Sequence, residues 1–141
     1  MSIVLACVAI ALWAVSLFNV GFRVGPDSVP WYGGKICMYG VLFGWAFGGW
    51  AAYANIWFVV AVARCIAGHV PGISSALMLI LAATTPLFKG VPRDEATGVV
   101  LRVVAWGPGL TLWLIAMGVL MLAVFLQSAS AVKPSERDRA P

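Results

Sequence analysis

The chain alternates between long apolar segments and short polar or Gly/Pro-rich segments. The apolar segments cover about residues 3–22, 36–63, 70–88 and 106–126. A helix needs about 20 mainly apolar residues to cross roughly 30 Å of hydrocarbon. Because the interior of a bilayer offers the backbone no water, each segment must satisfy its hydrogen bonds as a helix. The pattern therefore predicts four membrane-spanning helices, with three or five spans left open as alternatives.

The segments between the predicted spans indicate short connections and one additional helix. Residues 92–95 read Pro-Arg-Asp-Glu, which is typical of a helix start because acidic side chains are favoured near the positive end of the helix dipole. Apolar residues continue to position 104, and Gly-Pro-Gly at 107–109 interrupts them. We therefore predict a short interfacial helix before the fourth span. Residues 128–141 have no apolar period and are predicted to form a mobile polar tail.

The composition also indicates a membrane protein. Of 141 residues, 62% are hydrophobic and 10% are charged, whereas soluble proteins average roughly 25% charged residues. The mean hydropathy is +0.99. These values exclude a disordered chain, a secreted disulfide scaffold and a nucleic-acid-binding domain. We predict an all-α integral membrane four-helix bundle over residues 1–127, in contact with the lipid bilayer.

The basic residues do not indicate the orientation of this bundle. Nine Lys and Arg residues against five Asp and Glu residues give a net charge of +4. In a membrane protein such an excess serves topology and headgroup contacts rather than nucleic acid. The predicted topology places Arg64, Lys133, Arg137 and Arg139 on one side, and Arg23, Lys35, Lys89, Arg93 and Arg102 on the other. Four against five leaves the side of the termini undetermined.

The reactive side chains argue against an enzyme or an ion-coupled transporter. All five acidic residues lie outside the predicted spans, so the usual intramembrane proton relay is missing. His69 is the only histidine in the chain, and it cannot supply a zinc site or two haem ligands alone. Cys7, Cys37 and Cys65 are widely spaced and form no redox motif. We therefore expect no catalytic residues, no metal and no cofactor.

The second predicted span has one face of small residues. Gly40, Gly44, Gly48 and Ala52 recur every four residues, and Asn55 falls in the same sector at about 100° per residue. Small residues at this spacing allow another helix to approach closely, and Asn55 could hydrogen-bond across the contact. The other helix lies either in the same bundle or in a homo- or hetero-oligomer. We predict that these five residues form a helix-packing or partner interface.

Large aromatic residues occupy the opposite face, namely Tyr39, Phe43, Phe47, Trp50 and Trp57. They either face lipid and fill the bundle, or they line a cofactor or substrate pocket. Trp13, Trp45 and Trp50 are expected well inside the bilayer, where a buried indole N–H needs an acceptor. Arg102 lies within an apolar run and extends either to lipid headgroups or to an anion or partner. We predict Arg102 as an anion or headgroup contact.

Part of the second span resembles a pattern found in small bacterial polytopic inner-membrane proteins. The matching residues are the pair Gly44-Trp45 and the run Tyr53-Ala54-Asn55, within residues 37–55. Those proteins have a Gly-Trp pair before a Trp-or-Tyr, Ala, Asn run. The chain departs from the pattern at Ile56, where proline is common. The resemblance implies a multi-pass protein of the bacterial cytoplasmic membrane and implies no particular activity.

The leading functional hypothesis is a non-enzymatic inner-membrane binding protein that packs against a membrane partner. It could confer immunity to a membrane-targeting toxin or serve as an accessory subunit of a membrane complex, as compact proteins without catalytic groups do. The alternative is a small transporter or channel subunit. That alternative needs a polar path, and the predicted spans offer mainly Asn19, Asn55 and the threonines at 84, 85 and 111.

Overall fold

The computed structural model describes residues 2–92 and 100–131, and it contains both helices and strands. The helices are α1 (Ser2–Phe18), α2 (Gly33–Phe47), α3 (Ala54–Ile66), α4 (Gly72–Ala82) and α5 (Pro108–Ala131). The strands are β1 (Val20–Val24), β2 (Val29–Tyr32), β3 (Gly90–Pro92) and β4 (Val100–Trp106). Short 3-10 helices over Trp50–Tyr53 and Thr85–Leu87 follow α2 and α4.

The four strands form an antiparallel sheet in the order β2-β1-β4-β3. β1 and β2 form a hairpin whose turn holds Gly25 at a φ of 72°, a conformation that glycine adopts without a Cβ clash. β4 pairs with the other side of β1 and places Trp106 opposite Phe22. Valine recurs in all four strands, and β-branched side chains fit a pleated surface well. The pairing of β1 with β4 therefore joins the hairpin to a strand that lies about 80 residues later in the sequence.

The pairing of β1 with β4 also determines how the first and last helices lie. β1 follows α1 and β4 precedes α5, and the Gly107 N–H donates to the Gly21 carbonyl at 2.8 Å. Since the two strands are antiparallel, α1 runs toward the sheet and α5 runs away from it. The two helices pack against each other. Ala9 and Ala116 are fully buried, and such small residues let helices come close.

α3 and α4 pack against each other and complete the helical layer. The core of this layer contains Phe58 and Met78 together with Met117 and Leu120 of α5. A second, smaller cluster of buried residues lies under the sheet and is centred on Phe22, Val24 and Val91. The protein therefore has a helical core and a separate sheet core.

The prediction of an all-α four-helix bundle is wrong, because the chain also forms this four-stranded sheet. The interfacial helix predicted before the fourth span is replaced by β4 at residues 100–106, while residues 93–99 lie outside the described part. In β4, Leu101 and Val103 are less exposed than Arg102 and Val104, which is the two-residue period of a strand. A short apolar run does not by itself distinguish this period from a buried helix.

The predicted spans 3–22, 36–63 and 70–88 do not form single long helices. The first is helical only to Phe18 and continues into β1, and the helix in the third ends at Ala82. The second is divided at Gly48, whose φ of 70° ends α2 before the 3-10 helix and α3. The breaks depend on backbone conformations that hydropathy does not report.

The fourth predicted span, 106–126, corresponds to α5. Within the described residues, Pro108–Ser130 of α5 is the one helical segment with the length and composition to cross a membrane. α5 extends to Ala131 and so includes the start of the predicted polar tail. The rest of that tail, residues 132–141, lies outside the described part. By length and composition, the structure supports one membrane-crossing helix rather than four.

Asn55 connects three helices through a single side-chain oxygen. The indole Nε1 atoms of Trp13 in α1 and Trp113 in α5 both donate to Asn55 Oδ1 at 2.8 Å. Asn55 Nδ2 donates to the Ala52 carbonyl at 2.9 Å. An indole N–H is only a donor, so it must face the amide oxygen. Asn55 is only 8% exposed, and it supplies the acceptor that Trp13 was expected to need.

The small residues of α2 pack against the chain that follows them. A Cβ on Gly40 would collide with the Ala52 Cβ, and a Cβ on Gly44 would lie 2.8 Å from the Gly49 carbonyl oxygen. The chain can double back in this way because Gly48 has a left-handed backbone conformation. The glycine row thus faces the 3-10 helix of its own chain.

Replacing Asn55 with Leu should strongly destabilise the helical layer. The substitution leaves two partly buried indole N–H groups without an acceptor, which costs about 2–4 kcal/mol in total. The measurement is the free energy of unfolding in mild detergent, followed by tryptophan fluorescence. Asn19→Leu is the matched control, because the Asn19 amide donates to the Val15 carbonyl of its own helix. Equal stability of the two variants would contradict the bridging role of Asn55.

Replacing Gly44 with Ile should disrupt the contact between α2 and the following 3-10 helix. The new side chain would meet backbone rather than a movable side chain, at a cost of at least about 2 kcal/mol. Gly118→Ile is the matched control, because a Cβ on Gly118 has no neighbour within 4 Å. The measurement is the thermal unfolding midpoint of each purified variant. If Gly44→Ile unfolds at the same temperature as Gly118→Ile, the close approach is absent.

Candidate functional site

A cavity of about 310 Å³ lies between the sheet, α2 and the beginning of α5. Its volume is at the lower end of the range for small-molecule pockets, which is roughly 300–1,000 Å³. Its wall is mainly apolar and includes the aromatic residues Phe22, Trp31, Tyr39, Phe43, Phe88, Trp106 and Trp113. Such a combination of a concave volume and an aromatic lining is typical of binding sites for apolar molecules.

Strand register brings the aromatic rings on the sheet side together. Phe22 of β1 lies opposite Trp31 of β2 and opposite Trp106 of β4, so the three side chains share one face of the sheet. Their ring centroids are 5.9 Å and 6.0 Å from that of Phe22. Phe88, just before β3, adds a fourth ring at 5.5 Å. Phe22 is buried and forms the centre of this aromatic cluster.

The facing wall comes from α2. Tyr39 and Phe43 are one helical turn apart, with ring centroids separated by 6.2 Å. Tyr39 also contacts Trp31 at 5.8 Å, edge to face, and so connects α2 to β2. Tyr39, Phe43 and Trp106 are all more than 40% exposed. These partly exposed rings form the mouth of the cavity.

Lys35 is not itself a wall residue, but it lies next to two aromatic rings of the cavity wall. Its Nζ lies 4.2 Å from the centroid of Trp31 and 5.8 Å from that of Tyr39. A cation at the beginning of a helix is disfavoured by the helix dipole, so the aromatic faces rather than the helix stabilise the ammonium at this position. The ammonium protons that do not face the rings remain available to an acceptor.

Three polar side chains of the wall, those of Ser16, Thr85 and Asn55, are hydrogen-bonded within the protein. Ser16 Oγ donates to the Trp13 carbonyl and Thr85 Oγ1 donates to the Ala82 carbonyl, both at 2.6 Å. Asn55, which reaches the wall from α3, accepts the Trp113 indole N–H. The cavity therefore offers an almost entirely apolar surface to a bound molecule.

Cys37 is the most nucleophilic side chain type on this wall. It lies in the second turn of α2. Burial raises the pKa of the Cys37 thiol, so the thiol rather than the reactive thiolate predominates at neutral pH. Within residues 2–92 and 100–131, no group of three or more His, Cys, Asp or Glu side chains is placed to hold a metal ion.

The residues predicted from the second span are divided by this geometry. Gly40, Gly44, Ala52 and Asn55 line the cavity, while Gly48 ends α2 and has no neighbour near its Cβ position. Arg102 lies apart from them, on the exposed face of β4 opposite Gly90.

The predicted aromatic face is divided in the same way. Tyr39 and Phe43 line the cavity, and Trp50 and Trp57 do not; the side chain of Phe47 lies outside the described part. The break at Gly48 separates α2 from α3. The five aromatic residues therefore do not share one face of a single straight helix.

Sequence reasoning missed the aromatic residues on the sheet side. Phe22, Phe88 and Trp106 lie at the ends of predicted spans, and Trp31 lies in the predicted connection between the first two spans. Their proximity depends on cross-strand pairing over long sequence separations. Valine at positions 100, 103 and 104 was the available signal, because β-branched residues are enriched in strands.

Comparisons with known proteins leave the functional argument to this geometry. No protein-family model matches the chain, and neither a curated protein nor a solved structure is similar to it. The resemblance of residues 37–55 to small bacterial inner-membrane proteins stays a prediction.

Proposed function

We propose that the protein is a non-enzymatic membrane protein that binds an apolar, lipid-like molecule in the cavity between its sheet and its helices. The observation that carries the proposal is a cavity of about 310 Å³ with seven aromatic residues on its wall. Three polar side chains of that wall, those of Ser16, Thr85 and Asn55, are hydrogen-bonded within the protein. A bound molecule can therefore gain free energy mainly by removing apolar surface from water or lipid headgroups.

The outer surface of the helices supports a bilayer location. Phe18 is 81% exposed, Ile73 is 75% exposed and Phe125 is 68% exposed. Large exposed apolar patches on a monomer indicate contact with a membrane or another protein. In α5 the residues Ile115, Leu122 and Phe125 lie on one exposed stripe, which suits contact with lipid.

Charged residues at both ends of the helical layer support the same location. Arg23, Lys35, Lys89 and Arg102 lie on the sheet or at its borders. At the other end, the Cys65 thiol contacts Gln127 of α5 at 3.1 Å, which places the neighbouring Arg64 far from the sheet. From Pro108 to Gln127, α5 rises about 29 Å, which matches the hydrocarbon thickness of a bilayer. We infer that the helical layer lies in the bacterial inner membrane, with α5 crossing it and the sheet at the surface.

This placement puts the mouth of the cavity at the boundary between hydrocarbon and headgroups. Tyr39 and Trp106 at the mouth have the amphipathic rings that are enriched at this depth. A lipid-like molecule could enter there without leaving the membrane. The cavity would then hold that molecule by contacts that the surrounding lipid does not provide.

Binding to a membrane-protein partner is the second candidate function, in immunity to a toxin or in a larger complex. The glycine row no longer motivates it, because Gly40 and Gly44 face their own chain. The observation in its favour is an exposed stripe on α2 formed by Met38, Leu42 and Trp45, at the spacing of one helix face. A homo-oligomer would use the same stripe. The channel alternative loses support, because Asn55 is nearly buried and hydrogen-bonded to two indoles.

Replacing Cys37 with Phe should block the cavity, since a benzyl group would occupy the space of the ligand. The test uses the protein in lipid nanodiscs and a palmityl alcohol that carries a photoreactive diazirine. Peptides that contain residues 31–43 should be labelled in the wild type, and excess oleyl alcohol should suppress this labelling. In Cys37→Phe the suppressible labelling should fall at least about fivefold, because overpacking excludes the chain.

The matched control is Cys7→Phe, because Cys7 is exposed on α1 and does not line the cavity. Its labelling should equal that of the wild type. Labelling of the lipid-facing surfaces should not saturate in any variant. If labelling near the cavity is not suppressed by oleyl alcohol in the wild type, the proposed function is wrong.

Replacing Leu122 with Arg should reduce the amount of membrane-inserted protein. Leu122 lies on the exposed stripe of α5, away from both ends, and an arginine there costs about 2.5–3.5 kcal/mol of insertion free energy. The measurement is the fraction of protein that remains in the membrane after carbonate extraction. Val104→Arg on the exposed face of the sheet is the control and should be tolerated. A fully inserted and stable Leu122→Arg protein would contradict the bilayer location of α5.

A further inference from the structure

We propose that the molecule bound in the cavity is a long-chain fatty acid, whose carboxylate pairs with Lys35 while its chain lies among the aromatic rings. The inference rests on the proposed function, because it names the class of ligand for the same cavity. It follows from three features: the position of Lys35, the charge around the mouth and the internal use of the polar groups on the wall.

Lys35 is positioned to receive an anion at the edge of the cavity. Two wall residues, Trp31 and Tyr39, hold its ammonium within 4.2 Å and 5.8 Å of their ring centroids. Asp27 is the only acidic residue within residues 2–92 and 100–131, which the structure describes. It lies in the β1–β2 turn rather than on the cavity wall. A carboxylate on the ligand would supply the charge-assisted partner that suits this ammonium.

The charge around the mouth favours an anion over a neutral or cationic head. Arg23 and Lys89 lie on the sheet or at its border, in addition to Lys35. The single acidic residue in the described sheet region is Asp27. The resulting positive potential attracts anionic ligands and repels cationic ones.

The interior of the cavity favours a simple hydrocarbon chain. Ser16, Thr85 and Asn55 all use their side chains in hydrogen bonds within the protein. A ligand with several polar groups, such as a sugar or nucleotide, would lose its hydration without finding partners. A single polar head at one end avoids this cost, because it stays at the mouth.

The size of the cavity favours one chain over two. Its volume of about 310 Å³ lies at the bottom of the range for pockets that hold drug-sized molecules. A phospholipid would have to place two chains and a glycerol backbone in the same space. A fatty acid combines one chain with the anionic head that Lys35 selects.

The experiment compares two competitors that differ only at the head. The protein is placed in nanodiscs of zwitterionic phosphatidylcholine and labelled with the diazirine-bearing palmityl alcohol. Oleate or oleyl alcohol is added as competitor, and the concentration that halves labelling of residues 31–43 is measured. We expect oleate to act at about two- to fivefold lower concentration than oleyl alcohol, as an exposed ion pair would produce.

Three variants assign this preference to Lys35. Lys35→Gln should abolish the difference between oleate and oleyl alcohol, while Lys35→Arg should retain it because the cation and its ring contacts remain. Arg64→Gln is the control, because Arg64 lies in the last turn of α3, far from the sheet and off the cavity wall; it should behave as the wild type. The unfolding temperature of each variant shows whether it is folded, and Lys35→Arg provides the test if Lys35→Gln is not.

The possible results separate this inference from the proposed function. If both competitors act equally in the wild type, the fatty-acid inference is overturned and the proposed function stands. If phosphatidylglycerol suppresses labelling and oleate does not, the ligand is a phospholipid and the inference is also overturned. If neither oleate nor oleyl alcohol suppresses labelling, the proposed function itself fails.

Discussion

The antiparallel pairing of β1 with β4 is the contact on which the rest of the structure depends. It joins segments that lie at opposite ends of the sequence and places Trp106 beside Phe22. Because each strand continues directly into a helix, the same pairing positions α1 next to α5. Trp13 and Trp113 then lie about one and a half turns from the sheet in their respective helices. At that level both indoles reach Asn55.

The cavity is a consequence of the same arrangement together with the break after α2. The sheet supplies one aromatic wall and α2 supplies the other. Gly48 turns the chain so that the following 3-10 helix packs on Gly40 and Gly44. Gly40 and Gly44 have no side chain, so α2 can lie close to the 3-10 helix that follows Gly48. Tyr39 and Phe43 of α2 then point toward the sheet side of the cavity. Gly40 and Gly44 also line the cavity beside Tyr39 and Phe43, so packing and the cavity wall use neighbouring positions of one short helix.

Some features of the site could be predicted from single residues. Asn55 is a polar residue in an apolar segment, and a buried amide needs partners; the structure gives it two tryptophans. The spacing of Gly40 and Gly44 indicated a close approach, and the approach is to the 3-10 helix of their own chain. Phe22 and Trp31 could not be assigned in this way, because nothing local in the sequence relates them to Trp106.

Apolar composition, the scarcity of charge and the positions of small residues are properties of the sequence itself. They determine that most of the chain must be removed from water, since the hydrophobic effect scales with the area of apolar surface and is not directional. Tertiary structure decided which apolar segments became strands and where the helices ended. Strand pairing over long distances depends on which partner edge is available, and left-handed glycine positions depend on the packing that holds them. For this reason the sheet, the division at Gly48 and the aromatic cavity became visible only in three dimensions.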